Sequence, residues 1–116
     1  MPVDFTGSWV NQHGSQLRLQ AVGGMITGQF ESGVGDDGQR LWVEITGRYL
    51  DDVITFSTVY DQFKSVVSWV GQHTLDNQGA GVINTQWLHA TNIPDDAEIE
   101  WLWSSNKIGA DFFRRA

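Results

Sequence analysis

Short alternating segments separated by turn residues constrain the fold of this chain more than any other feature. Gly with Asp or Asn marks most of the turns, which lie at 22–24, 33–38, 50–52, 75–81 and 91–96. Between the turns we predict eight strands, at 8–12, 15–22, 25–32, 40–49, 53–61, 65–74, 81–90 and 106–114. The stretch 95–105 predicts either one or two helical turns or an extra strand.

The number and order of these strands favour one architecture. Eight sequential antiparallel strands in 116 residues predict an all-β, single domain over 1–116, an up-and-down β-barrel. Closure removes exposed strand edges, and the mouth of an eight-stranded barrel can hold one small ligand. A β-sandwich is the alternative architecture.

The composition narrows the classes of function. The net charge is −7 with only seven Lys plus Arg and no basic cluster, which argues against a nucleic-acid partner. The absence of cysteine excludes disulfides and thiolate–zinc sites. No run approaches the ~18 apolar residues of a membrane helix, so we expect no membrane partner. The start, MPVDFTGSW, does not resemble a secretory signal.

Polar side chains share the predicted inner faces of the strands with bulky aromatic residues. With a period of two, Trp9, Asn11 and His13 share one face of the first strand. The inward polar set is Asn11, Ser15, Ser32, Tyr60, Ser65, His89 and Asp111. One such group is commonly a satisfied core residue, but several together beside aromatics are typical of a ligand pocket. The inward Asp111 weighs most, because carboxylates are rarely buried unpaired.

The predicted outer faces carry more apolar residues than isolated surface positions explain. These residues are Trp42, Val53, Val59, Val66, Val70 and Leu88. Apolar side chains on adjacent strands indicate a sheet that packs against a second subunit.

The sequence does not predict an enzyme. Its acidic pairs at 36–37, 51–52 and 95–96 all lie in predicted turns, where Asp is common. His13, His73 and His89 lack the i, i+4 spacing of a metal-binding pair. We therefore expect neither a catalytic nor a metal site.

Six motifs resemble the avidin–streptavidin family of biotin-binding proteins. They are GSWVNQHGS (7–15), TGQFESGVGD (27–36), TGRY (46–49), SVVSWVGQ (65–72), INTQWL (83–88) and WSSNKIGADFF (103–113). They occur in the family's order and cover nearly the whole chain. The resemblance implies a secreted eight-stranded β-barrel that binds biotin with high affinity, without catalysis and without a cofactor. It also implies a homo-oligomer, with a homotetramer favoured and a dimer possible.

The resemblance implies roles for five polar residues. Asn11 and Ser15 match the groups that donate hydrogen bonds to the ureido oxygen of biotin. Ser32 and Asp111 match the acceptors of the two ureido N–H groups, and Ser65 matches a hydroxyl that binds the valerate carboxylate.

The resemblance also implies an enclosure around the ligand. Tyr60, Trp69 and Trp87 match the aromatic residues beside the ring and tail. The loop that closes over the tail matches Val34, Gly35 and Asp36. Trp103 matches a tryptophan that a neighbouring subunit contributes, and Trp101 is a competing candidate because the preceding turn is longer than usual.

Four positions depart from the family pattern. Phe30 replaces a tyrosine that donates to the ureido oxygen, Val67 replaces a threonine near the sulfur, and His13 and His89 replace leucines. These changes predict weakened or pH-dependent biotin binding as one alternative. A lipocalin-like barrel that carries another small hydrophobic ligand is the other.

Overall fold

The computed structural model describes residues 3–32 and 41–116, whose strands form one closed barrel in sequential order. The strands are β1 (Gly7–Val10), β2 (Gln16–Val22), β3 (Met25–Ser32), β4 (Leu41–Leu50), β5 (Val53–Tyr60), β6 (Ser65–Leu75), β7 (Gly81–Thr91) and β8 (Asn106–Arg115). All neighbours are antiparallel, and β8 returns to β1 through the pairs Trp9↔Arg115 and Val10↔Arg114. The predicted eight-stranded barrel is confirmed.

The β2–β3 hairpin shows how turn chemistry sets the register. Gly23 and Gly24 connect the strands with φ of 60° and 85°, the left-handed conformations that a two-residue type I′ turn requires. The resulting register pairs Leu17 with Phe30, which brings two inward side chains together.

The closed end of the barrel is filled by aromatic side chains. Phe5 and Trp9 are fully buried, and the Trp9 indole donates to the Phe5 carbonyl at 2.9 Å. The Arg115 guanidinium lies 4.0 Å from the centre of the Trp9 ring system, a favourable cation–π distance. The closed end is therefore packed core, and ligand access is left to the opposite end.

One predicted strand is shorter than the alternation indicated. β1 ends at Val10, and residues 11–15 form a turn in which the Asn11 N–H donates to the Ser15 carbonyl at 3.0 Å. Gly14 adopts a φ of 81° in this turn, a conformation that alternating strand residues cannot continue. The strand interpretation of Asn11 and His13 was wrong, and His13 is exposed.

The stretch before the last strand is helical rather than an extra strand. It contains a 3₁₀ turn (Asp95–Ala97), one α-helical turn, α1 (Glu98–Trp101), and a second 3₁₀ turn (Leu102–Ser104). In the described ranges, no helix is long and apolar enough to cross a membrane.

The outer face of β5–β8 is exposed and apolar, which the alternation predicted for β5–β7. Val66, Val70, Leu88 and Ile108 are between 48% and 74% exposed. Trp42, on β4, differs because the Arg18 guanidinium lies 4.3 Å from its ring centre and covers part of it. The apolar outer face thus lies on the half of the barrel formed by the later strands.

Candidate ligand-binding site

A cavity of about 410 Å³ lies at the open end of the barrel. Its size falls in the range of small-molecule sites. Twelve of the predicted site residues line it: Asn11, His13, Ser15, Phe30, Ser32, Tyr60, Ser65, Val67, Trp69, Trp87, His89 and Asp111. The residues that the sequence placed in one pocket therefore lie around one cavity.

Two lining residues were missed by the sequence analysis, and one predicted residue among those described does not line the cavity. Phe63 and Ala110 are the additions; Phe63 lies in the 3₁₀ turn Asp61–Phe63, with its ring 6.4 Å from that of Tyr60. The apolar character of Phe63 within a polar turn was the sequence feature that could have indicated its role. Trp103 is 77% exposed and does not line the cavity of its own chain. Predicted residues Val34, Gly35 and Asp36 lie outside the described residues.

The turn that follows β1 fixes the orientation of the Asn11 amide. Its Oδ1 accepts hydrogen bonds from the backbone N–H groups of His13 and Ser15, at 3.0 and 2.9 Å. Because the oxygen is committed to these donors, the amide cannot be flipped without losing both bonds. The Nδ2 group has no partner within the described part of the chain and remains available as a donor.

Asp111 presents a buried carboxylate that is held on both oxygens. Its Oδ2 accepts from the Trp69 indole N–H at 2.9 Å, and its Oδ1 accepts from Gln12 Nε2 at 3.3 Å. The residue is only 5% exposed. A carboxylate oxygen has two lone pairs, so each retains acceptor capacity toward the cavity.

Two buried hydroxyl groups face the cavity. Ser15 and Ser65 are 7% and 5% exposed, and within residues 3–32 and 41–116 their hydroxyls make no hydrogen bond. Every fully buried side-chain nitrogen or oxygen in those ranges has a partner, so these two hydroxyls must reach open space. Both are free to bind a polar ligand group.

Rigid aromatic packing supports the wall of the cavity. The Trp69 ring stacks on Phe56, with centroids 5.0 Å apart and planes 20° apart, and contacts Phe30 at 5.0 Å. The Trp87 indole lies against Gly109, where a Cβ atom would overlap the ring. A glycine at that register position of β8 is therefore required for this placement of Trp87.

Two titratable side chains at the cavity have shifted pKa values. Burial raises the pKa of the Tyr60 phenol, although a hydrogen bond from Ser32 opposes the shift; the charge of Asp111 adds to the increase. Burial lowers the pKa of His89, and the positive charge of Lys107 lowers it further. Tyr60 therefore stays a neutral phenol at neutral pH, and His89 gains a proton less readily than an ordinary histidine.

Among the side chains that the structure describes, no group of three or more His, Asp or Glu residues is arranged to hold a metal ion. The polar groups at the cavity instead combine one oriented amide donor, hydroxyls and one carboxylate acceptor. Such a combination can bind a neutral organic group that has both an acceptor and donors.

Comparison with known proteins assigns this barrel to a family. A model described as "Avidin: Avidin family" matches residues 1–116. The chain belongs to the avidin family. Avidin-family proteins are non-catalytic binding proteins, so the expectation that this chain is not an enzyme is confirmed.

Individual avidin-family relatives are distant in sequence. Avidin-related protein 4/5 of Gallus gallus is 26% identical over 117 residues, which cover 95% of this chain and 76% of that protein. Avidin-related protein 3 of the same organism has the same identity and coverage.

Solved structures share the fold. The crystal structure of Xenavidin matches with a TM-score of 0.85 and 23% identity over 100% of both chains. AVR2 matches with a TM-score of 0.82 and 24% identity over 99% of this chain and 97% of that one. At these identities the likeness supports the barrel fold alone.

Proposed function

We propose that this avidin-family chain binds biotin in the cavity at the open end of its barrel. The observation that carries the proposal is the opposite polarity of two fixed groups. Asn11 offers an amide donor because its oxygen is already occupied, and Asp111 offers a buried acceptor. The ureido group of biotin has one carbonyl acceptor and two N–H donors, which such a pair complements.

The remaining polar residues extend the proposed recognition. The Ser15 hydroxyl adds a second donor for the ureido oxygen, and Ser32 accepts the second ureido N–H. Ser65 binds the valerate carboxylate, together with residues Val34, Gly35 and Asp36. Charge-assisted bonds to Asp111 in a site with little water are stronger than neutral bonds in water, so this residue contributes most.

We further propose that the chain is a secreted homo-oligomer, most simply a homotetramer. The exposed apolar residues on β5–β8 fit a self-complementary interface between copies. Trp103, 77% exposed, is then available to cover a neighbouring subunit's cavity. The lipocalin-like alternative is less favoured, because a carrier of hydrophobic ligands does not need an oriented amide and a buried carboxylate.

Calorimetric titration with biotin tests the proposal. We expect saturable binding with one site per chain and quenching of tryptophan emission, because Trp69 and Trp87 line the cavity. Diaminobiotin is the matched control ligand: it keeps the thioether ring and tail but lacks the ureido carbonyl. It should bind much more weakly. No saturable response at micromolar biotin, or equal binding of the two ligands, would contradict the proposal.

A further inference from the structure

The pairing of β1 with β8 closes the barrel, and we call it the β1–β8 seam. The Gln12 side chain takes the place of a backbone hydrogen-bonding partner in this seam. β1 pairs with β8 through Trp9 and Val10, and the chain then leaves the sheet. Beyond that point, Gln12 Oε1 accepts from the Phe112 N–H at 2.9 Å, and Gln12 Nε2 donates to the Ala110 carbonyl at 2.8 Å. These two bonds fix which end of the amide is nitrogen and which is oxygen.

The second hydrogen on Gln12 Nε2 faces two acceptors. Asp111 Oδ1 lies 3.3 Å from this nitrogen, and His13 Nε2 lies 3.4 Å from it. Both distances exceed the usual 2.7–3.2 Å for such bonds, as expected when one hydrogen is shared. The exposed His13 is thereby connected to the buried carboxylate that lines the cavity.

Protonation of His13 reverses its role in this contact. Neutral imidazole has a nitrogen lone pair that can accept the shared hydrogen, whereas imidazolium carries a hydrogen on both nitrogens. Two donors would then face each other across 3.4 Å, which is repulsive. The Asp111 carboxylate, whose Oδ1 lies 3.3 Å from the same Gln12 nitrogen, is an anion that the new N–H can bind.

We infer that His13 controls ligand affinity through pH: its protonated ring turns from Gln12 to the Asp111 carboxylate and occupies the acceptor that the ligand uses. This inference rests on the proposed function. The protonated His13 ring and the ligand compete for one carboxylate, so ligand affinity falls as the pH falls. Histidine is the side chain whose charge ordinarily changes between pH 5 and 8, so these two pH values are suited to a test of the inference.

The other titratable groups near the cavity do not reproduce this behaviour. Among the described residues, those that line it with His13 are Tyr60 on β5, His89 on β7 and Asp111 on β8. Burial keeps the Tyr60 phenol neutral, and burial together with Lys107 disfavours protonation of His89. His13 is the histidine at the cavity that contacts the Gln12–Asp111 pair.

Biotin affinity at pH 5 and pH 8 tests the inference. Loss of the ligand's hydrogen bond to the charged Asp111 corresponds to about a 30-fold change, so the unmodified chain should bind about 30-fold more weakly at pH 5. His13→Leu should remove the difference. His89→Leu is the matched control at the same cavity and should keep it. Equal affinities at both pH values in the unmodified chain, or a pH effect that disappears in His89→Leu instead, would overturn the inference.

A measurement without ligand separates this inference from the proposed function. The Trp69 indole N–H is bonded to Asp111, so its NMR resonance should shift between pH 8 and pH 5. Comparison with Trp69→Phe assigns the signal, and the shift should vanish in His13→Leu but not in His89→Leu. A shift without biotin binding would refute only the proposed function. Binding with no indole shift would refute the coupling of His13 to Asp111.

Discussion

Replacement of Asp111 by asparagine should weaken biotin binding without unfolding the barrel. The two side chains have nearly the same shape, but asparagine has no charge and only one acceptor atom. Both present partners of Asp111 are donors, the Trp69 indole and the Gln12 amide. In Asp111→Asn the oxygen can serve one of them, while the new NH₂ group faces the other donor or the ligand N–H.

The expected loss of biotin affinity follows from the hydrogen bond that is lost. A hydrogen bond to a charged group contributes about 2 kcal/mol, which corresponds to about a 30-fold loss of affinity. Isothermal titration calorimetry at pH 8 measures the affinity, and thermal unfolding measured in parallel shows whether the barrel remains folded. Asp96→Asn is the matched control, because Asp96 is exposed in the 3₁₀ turn before α1. A folded Asp111→Asn variant within twofold of the unmodified chain would refute the assigned role.

Four further substitutions separate the site, the core and the subunit contact. Asn11→Asp keeps the acceptor for the turn but removes the donor, so calorimetry should show about tenfold weaker biotin binding or worse, with little change in the unfolding temperature. Trp9→Phe removes the bond to the Phe5 carbonyl at the closed end; urea unfolding should show a loss of about 2 kcal/mol, with biotin affinity unchanged. Trp103→Ala should weaken binding about tenfold if this residue covers a neighbouring cavity, whereas Trp101→Ala should not; the reverse result would assign the contact to Trp101.

Most of the fold could be predicted because alternation and turn chemistry act locally. All eight strands appear within three residues of the predicted bounds, and the glycine pair at 23–24 forms the expected hairpin turn. The strand predicted around residue 11 was wrong, because a turn that contains polar residues at alternate positions has the same pattern as a strand. The helical segment at 95–104 was ambiguous because three short turns are too brief to establish a helical period.

The site was predictable where its residues lie on strands and less so where they lie on turns. Phe63 was missed because no periodicity governs the 3₁₀ turn that carries it. Gln12 was missed for a different reason. Its role depends on where β1 ends, and only the three-dimensional register shows that its side chain reaches Ala110 and Phe112.

Through Gln12, closure of the barrel between β1 and β8 is energetically linked to binding of a ligand in the cavity. The Gln12 amide replaces a backbone hydrogen-bonding partner in the β1–β8 seam, and it also donates to Asp111. A ligand that holds the carboxylate in place should therefore suppress opening of the seam and slow hydrogen exchange at the Phe112 amide. The bound molecule would then help to hold β1 against β8 and so keep the barrel closed.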